Sequence, residues 1–189
     1  MQSNTVIALF RRCGALLEGH FRLASGLHSS GYLQCALLLQ NPDHTAMLAE
    51  ALAEHSRHLK IAIVLSPALG GVVIGYEIAR ALGARALFVE RQDERLTLRR
   101  GFRIKNGERV LVAEDVITTG GSTRETIKVA ESFGGQVVGI VAIVNRGDSQ
   151  NFHVPFYTLA DIVIPTYAPE DCPLCARGIL VSNPGSSSG

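Results

Sequence analysis

One stretch of thirteen residues, 110–122, restricts the fold of this chain more than any other part of the sequence. It begins with four apolar residues, which predict a parallel strand buried on both faces because no polar residue alternates with them. Glu114 and Asp115 follow, and residues 118–122 form a turn of hydroxyl side chains and glycines. From Ser122 onward, apolar residues recur at helical spacing. The stretch therefore predicts a strand, an acidic pair at its carboxyl end, a glycine turn and a helix in succession.

This arrangement indicates a binding site for a phosphate. A glycine turn that opens a helix presents unpaired backbone N–H groups and the positive end of the helix dipole to an anion. Ligands bind at the carboxyl ends of strands in open α/β sheets. Glu114 and Asp115 beside such a turn favour a ligand that also carries hydroxyl groups or Mg²⁺. The lysine of a Walker A loop is missing, and the glycine spacing differs from that of a dinucleotide fingerprint. The alternative is an acidic rim beside an ordinary helix N-cap.

The rest of the sequence predicts a mostly parallel, doubly wound α/β sheet, because strand and helix patterns alternate. Residues 18–34 predict a hairpin or two short strands, and the arginine-rich segment 91–108 predicts a long binding loop or lid. Buried strands are predicted at 61–65, 84–90 and 136–145, further strands at 154–159 and 161–165, and helices at 5–17, 42–58 and 72–82.

Composition limits the classes of protein that remain. A length of 189 residues suits one domain with a substantial core, and 47% of the residues are apolar. The net charge of +1 gives no basic field for nucleic acid. No run of about 18 apolar residues is present, and no signal-peptide pattern opens the chain. We therefore expect a cytoplasmic protein with no nucleic-acid or membrane partner.

The chain has four cysteines, of which only Cys172 and Cys175 lie close together, in Cys-Pro-Leu-Cys. A structural zinc site usually needs four ligands, and the sequence shows no second pair of cysteines or histidines at ligand spacing. Free thiols in a reducing cytosol are the prediction. A metal shared across a dimer is the alternative.

Residues 110–122 resemble the 5-phosphoribosyl-1-diphosphate (PRPP) motif of the type I phosphoribosyltransferases. Along almost its full length the chain resembles the orotate phosphoribosyltransferase family within that group. The matching segments are the N-terminal orotate-binding stretch at 21–26 and 32–34, the pyrophosphate loop at 66–71, and the strand end at 144–147. Glu90 and Arg91, residues 98–102 and the Cys-Pro-Leu-Cys segment resemble one subgroup of this family.

The resemblance implies a type I phosphoribosyltransferase-like fold, with a central, mostly parallel sheet flanked by helices and a small hood from both chain ends. A single domain would span 1–183, with its core at about 60–146, its hood at about 1–40 and 154–181, a mobile loop at 91–108 and a disordered tail at 184–189. It also implies a cis peptide bond between Ala68 and Leu69.

The resemblance assigns site residues as well. The acidic pair would hold the ribose hydroxyls of PRPP, the turn would bind its 5′-phosphate, and Arg146 would grip orotate. The PRPP-binding residues would be Glu114, Asp115, Val116, Ile117, Thr118, Thr119, Gly120, Gly121, Ser122, Ala68, Leu69 and Gly70. The orotate-binding residues would be Thr118, Arg146, Tyr32 and Leu33.

The chain departs from better-known bacterial members of the family, which carry lysines where Ala24 and Gly70 stand. The predicted loop supplies other cations instead, namely Arg91, Arg95, Arg99, Arg100, Arg103 and Lys105. Arg91 is the candidate for contacting pyrophosphate by alignment, and Arg99 and Arg100 are candidates by chemistry. These three arginines, with Glu114 and Asp115, are the predicted catalytic residues. The alternative is a solvated run of charge.

The implied reaction converts orotate and PRPP into orotidine 5′-monophosphate and pyrophosphate, a step in pyrimidine synthesis. Mg²⁺ is the implied cofactor, held through PRPP with no assigned protein ligand. A homodimer with shared active sites is implied, in which the mobile loop serves the neighbouring subunit. The alternatives are a purine phosphoribosyltransferase and a PRPP-sensing regulator. The regulator normally needs a DNA-binding module, which the sequence does not show.

Overall fold

The computed structural model describes residues 1–23, 25–147 and 151–183. Helices α1–α6 span Ser3–Arg12, Cys35–Leu39, Pro42–Glu54, Gly70–Leu82, Gly121–Ser132 and Pro173–Ala176. Strands β1–β9 span Leu16–Arg22, His28–Leu33, Ile63–Pro67, Arg85–Gln92, Arg95–Leu98, Arg109–Ile117, Gln136–Asn145, Phe156–Asp161 and Thr166–Tyr167. Within these described ranges, no helix has both the length and the apolar character needed to cross a bilayer.

A six-stranded sheet in the order β5-β4-β3-β6-β7-β8 forms the centre of the molecule. The strands from β4 to β8 in that order are parallel, and only the edge strand β5 runs antiparallel to its neighbour. The predicted type I phosphoribosyltransferase-like fold, with a mostly parallel sheet flanked by helices, is confirmed. Because the strands are parallel, the carboxyl ends of β3, β6 and β7 lie at one edge of the sheet.

Both faces of the sheet are buried, which explains the continuous apolar strands. Residues along β6 alternate between two apolar clusters: Leu111 and Ala113 pack on the side of α1–α4, and Val110 and Val112 on the side of α5. Leu48 and Ile74 are fully buried in the first cluster, and Ile127 packs in the second. Burial on both sides holds β6 rigidly, and with it the residues at its carboxyl end.

Several predicted boundaries were wrong. The helix predicted at 5–17 ends at Arg12, because Gly14 takes a left-handed conformation with φ of +63° and turns the chain into β1. The helix predicted at 42–58 ends at Glu54. The strand predicted to end before the acidic pair continues to Ile117, so both carboxylates lie within β6. Helix α2 was not predicted.

The segment 91–108, predicted as one long loop, contains the end of β4 and the whole of β5. Leu96, Leu98 and Ile104 are buried in the cluster on the α5 side of the sheet. Leu98 and Ile104 therefore anchor this segment in the core of its own chain, and residues 99–103 lie between these two anchors. Mobility of this segment stays a prediction.

The hood is a separate three-stranded antiparallel sheet in the order β1-β2-β9. The C-terminal segment joins it, since Arg22 N donates to Ser182 O at 2.9 Å and Ser182 N donates to His20 O at 2.8 Å. Both ends of the chain thus build the hood, as predicted. Ala24 and the tail at 184–189 lie outside the described residues.

Candidate active site

The predicted PRPP-binding segments meet at the carboxyl edge of the central sheet. Strand β3 leads into a cis peptide bond between Ala68 and Leu69, which confirms that prediction, and α4 begins at the next residue, Gly70. Strand β6 pairs with β3 and leads into the turn before α5. Leu69 is 85% exposed, so the loop between β3 and α4 faces outward beside the glycine turn.

The turn before α5 has the geometry of an anion cradle. Gly120 is the N-cap of α5 and takes a left-handed conformation with φ of +72°, which a glycine adopts without a steric penalty. The first turn of α5 carries no acidic residue, so no carboxylate competes for its N–H groups. Thr118, Thr119, Gly121 and Ser122 are exposed around this turn. An anion of phosphate size can therefore approach the helix N-terminus.

The Glu114 side chain is directed inward and holds the turn in place. It is 4% exposed and accepts hydrogen bonds from Ser122 Oγ at 2.7 Å and Thr123 Oγ1 at 3.3 Å. Burial raises the pKa of Glu114 to about 8, the hydroxyl of Ser122 opposes that shift, and the charge of Asp115 adds to it. Glu114 therefore links the end of β6 to the start of α5.

The Asp115 side chain points to the opposite face of the sheet, as consecutive strand residues do. It lies against Gly70, where an added β-carbon would be 2.6 Å from Asp115 Oδ2. Val116 N donates to Asp115 Oδ1 at 2.8 Å. Burial raises the pKa of Asp115. Burial also raises the pKa values of Tyr32 and Cys35, and the charge of Asp115 adds to both shifts. Asp115 thus lies where the sheet, α2 and the hood meet. No motif or spacing in the sequence pointed to Cys35.

Arg146 follows β7 and reaches the hood. Its backbone N–H donates to Ile117 O at 2.8 Å, and its guanidinium donates to Ser29 Oγ at 2.7 Å and to Gly31 O at 3.3 Å. Burial lowers the pKa of Arg146, and the nearby Tyr32 opposes that shift. The predicted orotate residues Arg146 and Tyr32 therefore lie close to each other between the hood and the sheet edge. We call the region around them the base pocket.

Leu33 does not turn its side chain toward that pocket. It is 8% exposed and packs in the apolar core on the side of α1–α4. Ser29, which was not predicted, lies in the pocket, because its hydroxyl accepts from Arg146 and donates to the backbone of Gly31 and Pro165. Ser29 shares a face of β2 with Gly31 and lies on the opposite face from Tyr32, so strand alternation from Tyr32 could not have singled it out.

The three predicted loop arginines bind acids on the same chain. Arg100 makes a two-pronged contact with Glu90, at 3.1 and 2.9 Å, and Arg99 lies 3.8 Å from the same carboxylate. Arg91 donates to Glu125 on α5 at 3.3 Å. The contact with Arg100 lowers the pKa of Glu90. The three arginines thus contact Glu90 on β4 and Glu125 on α5. Among the described residues, none of these arginines makes a hydrogen bond or ion pair with Glu114 or Asp115.

The parallel sheet, the glycine turn at a helix N-terminus and the acidic strand end together define a phosphoribosyl transferase domain. A family model with the description "Phosphoribosyl transferase domain" matches residues 36–163. That range includes the loop between β3 and α4, the turn before α5 and Arg146, and it leaves out β1 and β2.

Similarity to individual proteins identifies the family within this class. The chain is 51% identical over 181 residues to orotate phosphoribosyltransferase of Carboxydothermus hydrogenoformans, covering 94% of this chain and 95% of that protein. It is 46% identical over 187 residues to the enzyme of the same name from Caldanaerobacter subterraneus subsp. tengcongensis, covering 98% of each. The crystal structure of orotate phosphoribosyltransferase from Aeropyrum pernix matches with a TM-score of 0.71 at 25% identity, over 83% of this chain and 93% of that chain. The chain belongs to the orotate phosphoribosyltransferase family.

Proposed function

We propose that this protein transfers the 5-phosphoribosyl group from PRPP to orotate, giving orotidine 5′-monophosphate and pyrophosphate in the de novo synthesis of UMP. It would be a pentosyltransferase, a kind of glycosyltransferase. The relatives that are 46–51% identical over nearly the whole chain support this function. The observation that carries it is the half-buried guanidinium of Arg146, held by the hood a short way from a phosphate cradle.

The pocket under the hood suits an anionic, planar base. A guanidinium is permanently charged and planar, and its fork matches a carboxylate or a pair of carbonyl oxygens. Ser29 and Gly31 fix the orientation of Arg146, while Tyr32 offers an aromatic face beside it. A purine base carries no carboxylate, so this arginine favours orotate over the purines.

The cradle and the acidic pair suit the ribose phosphate of PRPP. The N–H groups of the turn at 118–122 would bind the 5′-phosphate, with Val116 and Ile117 forming the strand end beneath it. Departure of pyrophosphate leaves positive charge on the ribose ring. Asp115, and Glu114 once it ionises, would stabilise that charge through the ribose hydroxyls. The acidic pair therefore acts by orientation and electrostatics.

The departing pyrophosphate needs positive charge and N–H donors. The backbone at Leu69 and Gly70 would provide N–H donors at the carboxyl edge, whereas the N–H of Ala68 already donates to Val89 O at 2.7 Å. Arg91, Arg99 and Arg100 would provide charge after leaving their acidic partners, all of which are surface contacts of low stability. Closure of the segment 99–103 would also exclude water from the ionising ribose.

The residues present fit Mg²⁺ held through the oxygens of PRPP. Glu114 already accepts from two hydroxyls, and Asp115 accepts a backbone N–H, so neither has its full ligand capacity available. Mg²⁺ usually keeps several waters and binds substrate phosphates with one or two carboxylates at most. When bound, Mg²⁺ would withdraw negative charge from the diphosphate oxygens.

We further propose a homodimer in which the segment 99–103 serves the neighbouring subunit. Leu69, Val73 and Tyr76 form an exposed apolar stripe at helical spacing along α4, beside the cradle, and they are 85%, 47% and 62% exposed. Such a stripe is typical of a surface that another chain covers. Arg99 and Arg100 contact Glu90, outside the cradle of their own chain, which leaves a partner's loop room to approach. Since its phosphorylated substrate does not cross membranes unaided, we place the enzyme in the cytoplasm.

A stoichiometric assay tests the proposed function. The protein with orotate, PRPP and Mg²⁺ should consume orotate and release one pyrophosphate for each orotate consumed. Adenine, hypoxanthine or guanine in place of orotate should release almost none. Pyrophosphate release with a purine and none with orotate would contradict the proposal.

A further inference from the structure

The hood contains a cluster of four potential metal ligands that plays no part in the chemistry above. His20 on β1, His28 at the start of β2, and Cys172 and Cys175 at the C-terminal end place their four ligand atoms within 4.8 Å of one another. The sequence showed no second pair of ligands at zinc-ligand spacing, and the fold brings His20 and His28 next to the two cysteines. The free state of the two thiols stays a prediction. The hairpin brings the two histidines together, and the chain folds back to place both sulfurs against them.

The distances within the cluster match those around a tetrahedral ion. With Zn–N bonds of about 2.05 Å and Zn–S bonds of about 2.3 Å, ideal ligand separations are about 3.3 Å for N–N and about 3.6 Å for N–S. His20 Nε2 lies 2.9 Å from His28 Nδ1 and 3.5 Å from Cys172 Sγ. Cys175 Sγ lies 3.3 Å from His28 Nδ1 and 3.8 Å from His20 Nε2. These four separations differ from the ideal values by about 0.4 Å or less, and all ligand atoms lie within 4.8 Å of one another, so side-chain shifts of about 1 Å would close a four-ligand shell.

The surroundings also orient the ligands. His20 Nδ1 donates to the backbone oxygen of Ile179 at 2.7 Å, which leaves the lone pair of Nε2 directed into the cluster. A histidine ligand commonly donates its other ring N–H in this way. His20, His28 and Cys172 are 3%, 8% and 3% exposed, while Cys175 lies at the surface and leaves a route for an ion to enter.

We propose that His20, His28, Cys172 and Cys175 bind one structural zinc ion. Two imidazoles and two thiolates in a tetrahedron are a ligand set that zinc favours, and the two thiolates neutralise its charge. Four protein ligands leave no open position, so the site is structural and not catalytic.

The ion would fasten the two ends of the chain to each other. Hydrogen bonds at His20, Arg22 and Ser182 already join β1 to the C-terminal segment. The zinc would add a covalent cross-link between that segment and the hairpin. His28 directly precedes Ser29, the hydroxyl that holds Arg146, so the ion also fixes the roof of the base pocket.

Metal analysis of the intact protein tests the site. Protein produced with zinc and freed of loosely bound metal should hold about one zinc per chain. After exchange, Co²⁺ should give the ligand-field bands of a tetrahedral ion and thiolate-to-cobalt charge-transfer absorption. Folded wild-type protein that holds no zinc after zinc is added, or that holds iron instead, would overturn the proposal.

Cysteine variants locate the ion. The double variant Cys172→Ser/Cys175→Ser should lose the zinc, whereas Cys13→Ser should keep it. Cys13 is a matched control, because it too lies beside a histidine, with its sulfur 3.6 Å from His44 Nδ1. If the double variant fails to fold, the thiols of the wild-type protein are titrated instead. Zinc should then be released as the thiols react, at two thiols for each zinc. Zinc retained by the folded double variant, or unrelated to thiol modification, would refute the assignment.

Discussion

Gly70 and Asp115 are packed so closely that a β-carbon at position 70 would lie 2.6 Å from the Asp115 carboxylate. One residue begins α4 and the other lies near the end of β6, and the parallel pairing of β3 with β6 brings them together. In this chain, the absence of a side chain at 70 sets the position of Asp115.

Gly70→Ala should therefore weaken PRPP binding without unfolding the protein. The methyl group would push aside the end of a movable side chain, and not the backbone, so the fold can adjust. We expect a melting temperature within a few degrees of wild type and PRPP affinity lower by about 1–2 kcal/mol. Gly139→Ala on β7, outside the cradle, is a control for added volume, since its β-carbon would meet the side-chain ends of Leu59 at 3.3 Å and Leu111 at 3.4 Å. Equal PRPP affinity in Gly70→Ala and wild type would show that Asp115 does not contact PRPP.

Arg146→Ala should raise the KM for orotate far more than the KM for PRPP. The guanidinium lies under the hood and not at the phosphate cradle. Losing a charged hydrogen bond in a closed site costs about 2–4 kcal/mol. Arg146→Lys keeps the charge but loses the planar fork, so its KM should fall between those of Arg146→Ala and wild type. Steady-state kinetics with each substrate varied in turn measures this, and equal weakening of both substrates would refute the assignment.

Substitutions in the glycine turn should abolish PRPP binding in a folded protein. Gly121→Val would place a branched side chain where the 5′-phosphate approaches, and Gly120→Ala would put a β-carbon on a left-handed residue. Gly83→Ala is the matched control for the backbone effect, because Gly83 has φ of +66° and open space around it. The Gly83→Ala variant should lose an amount of stability comparable to that lost by Gly120→Ala, and it should keep its PRPP affinity. Normal PRPP affinity by calorimetry in folded Gly121→Val would place the cradle elsewhere.

Glu114 should make the protein less stable as the pH rises. Its pKa is about 8 in the folded chain, against an ordinary value of 4.5. The unfolded chain therefore releases this proton at lower pH than the folded chain, and the free energy of unfolding falls between about pH 4.5 and about pH 8. Glu114→Gln removes this pH-dependent contribution to the free energy of unfolding, because an amide does not titrate. It should match wild type near pH 4.5 and exceed it by about 1–3 kcal/mol near pH 8.5. Denaturant unfolding at both pH values measures the difference, and a difference that does not change with pH would contradict the buried-carboxyl account.

Mixing two inactive variants tests the shared active site. One variant changes Arg99 and Arg100 to alanine, and the other changes Glu114 and Asp115 to their amides. If the loop acts on the partner's cradle, exchange of subunits creates dimers with one intact site, and about a quarter of wild-type activity should return. Failure to recover activity despite proven exchange would mean that each subunit closes its own site.

The elements that the sequence predicted well are those with local signals. The apolar run of β6 and the glycine turn after it are contiguous, so their order alone indicates a phosphate cradle. Strand β5 carried a local signal that was overlooked, since Leu96 and Leu98 alternate with polar residues as in a half-buried strand. The alternation within β6 also implied that Glu114 and Asp115 point to opposite faces.

The zinc cluster could not be found in this way, because its ligands come from distant parts of the chain. His20 and Cys172 are 152 residues apart and meet only when both chain ends build the hood. The inward direction of the Leu33 side chain likewise depends on how β2 packs over α1 and α2. Local pattern therefore predicted the carboxyl edge of the central sheet, while the ligand cluster inside the hood required the tertiary structure.

A competition experiment shows whether this protein transfers the phosphoribosyl group to orotate or to a purine. The protein receives PRPP, Mg²⁺ and equal concentrations of orotate, adenine, hypoxanthine and guanine, and the nucleotides formed are separated and identified by mass. The account predicts orotidine 5′-monophosphate as almost the only product, and predicts that its yield collapses in Arg146→Ala. A purine nucleotide as the main product, or no nucleotide from folded wild-type protein, would contradict it.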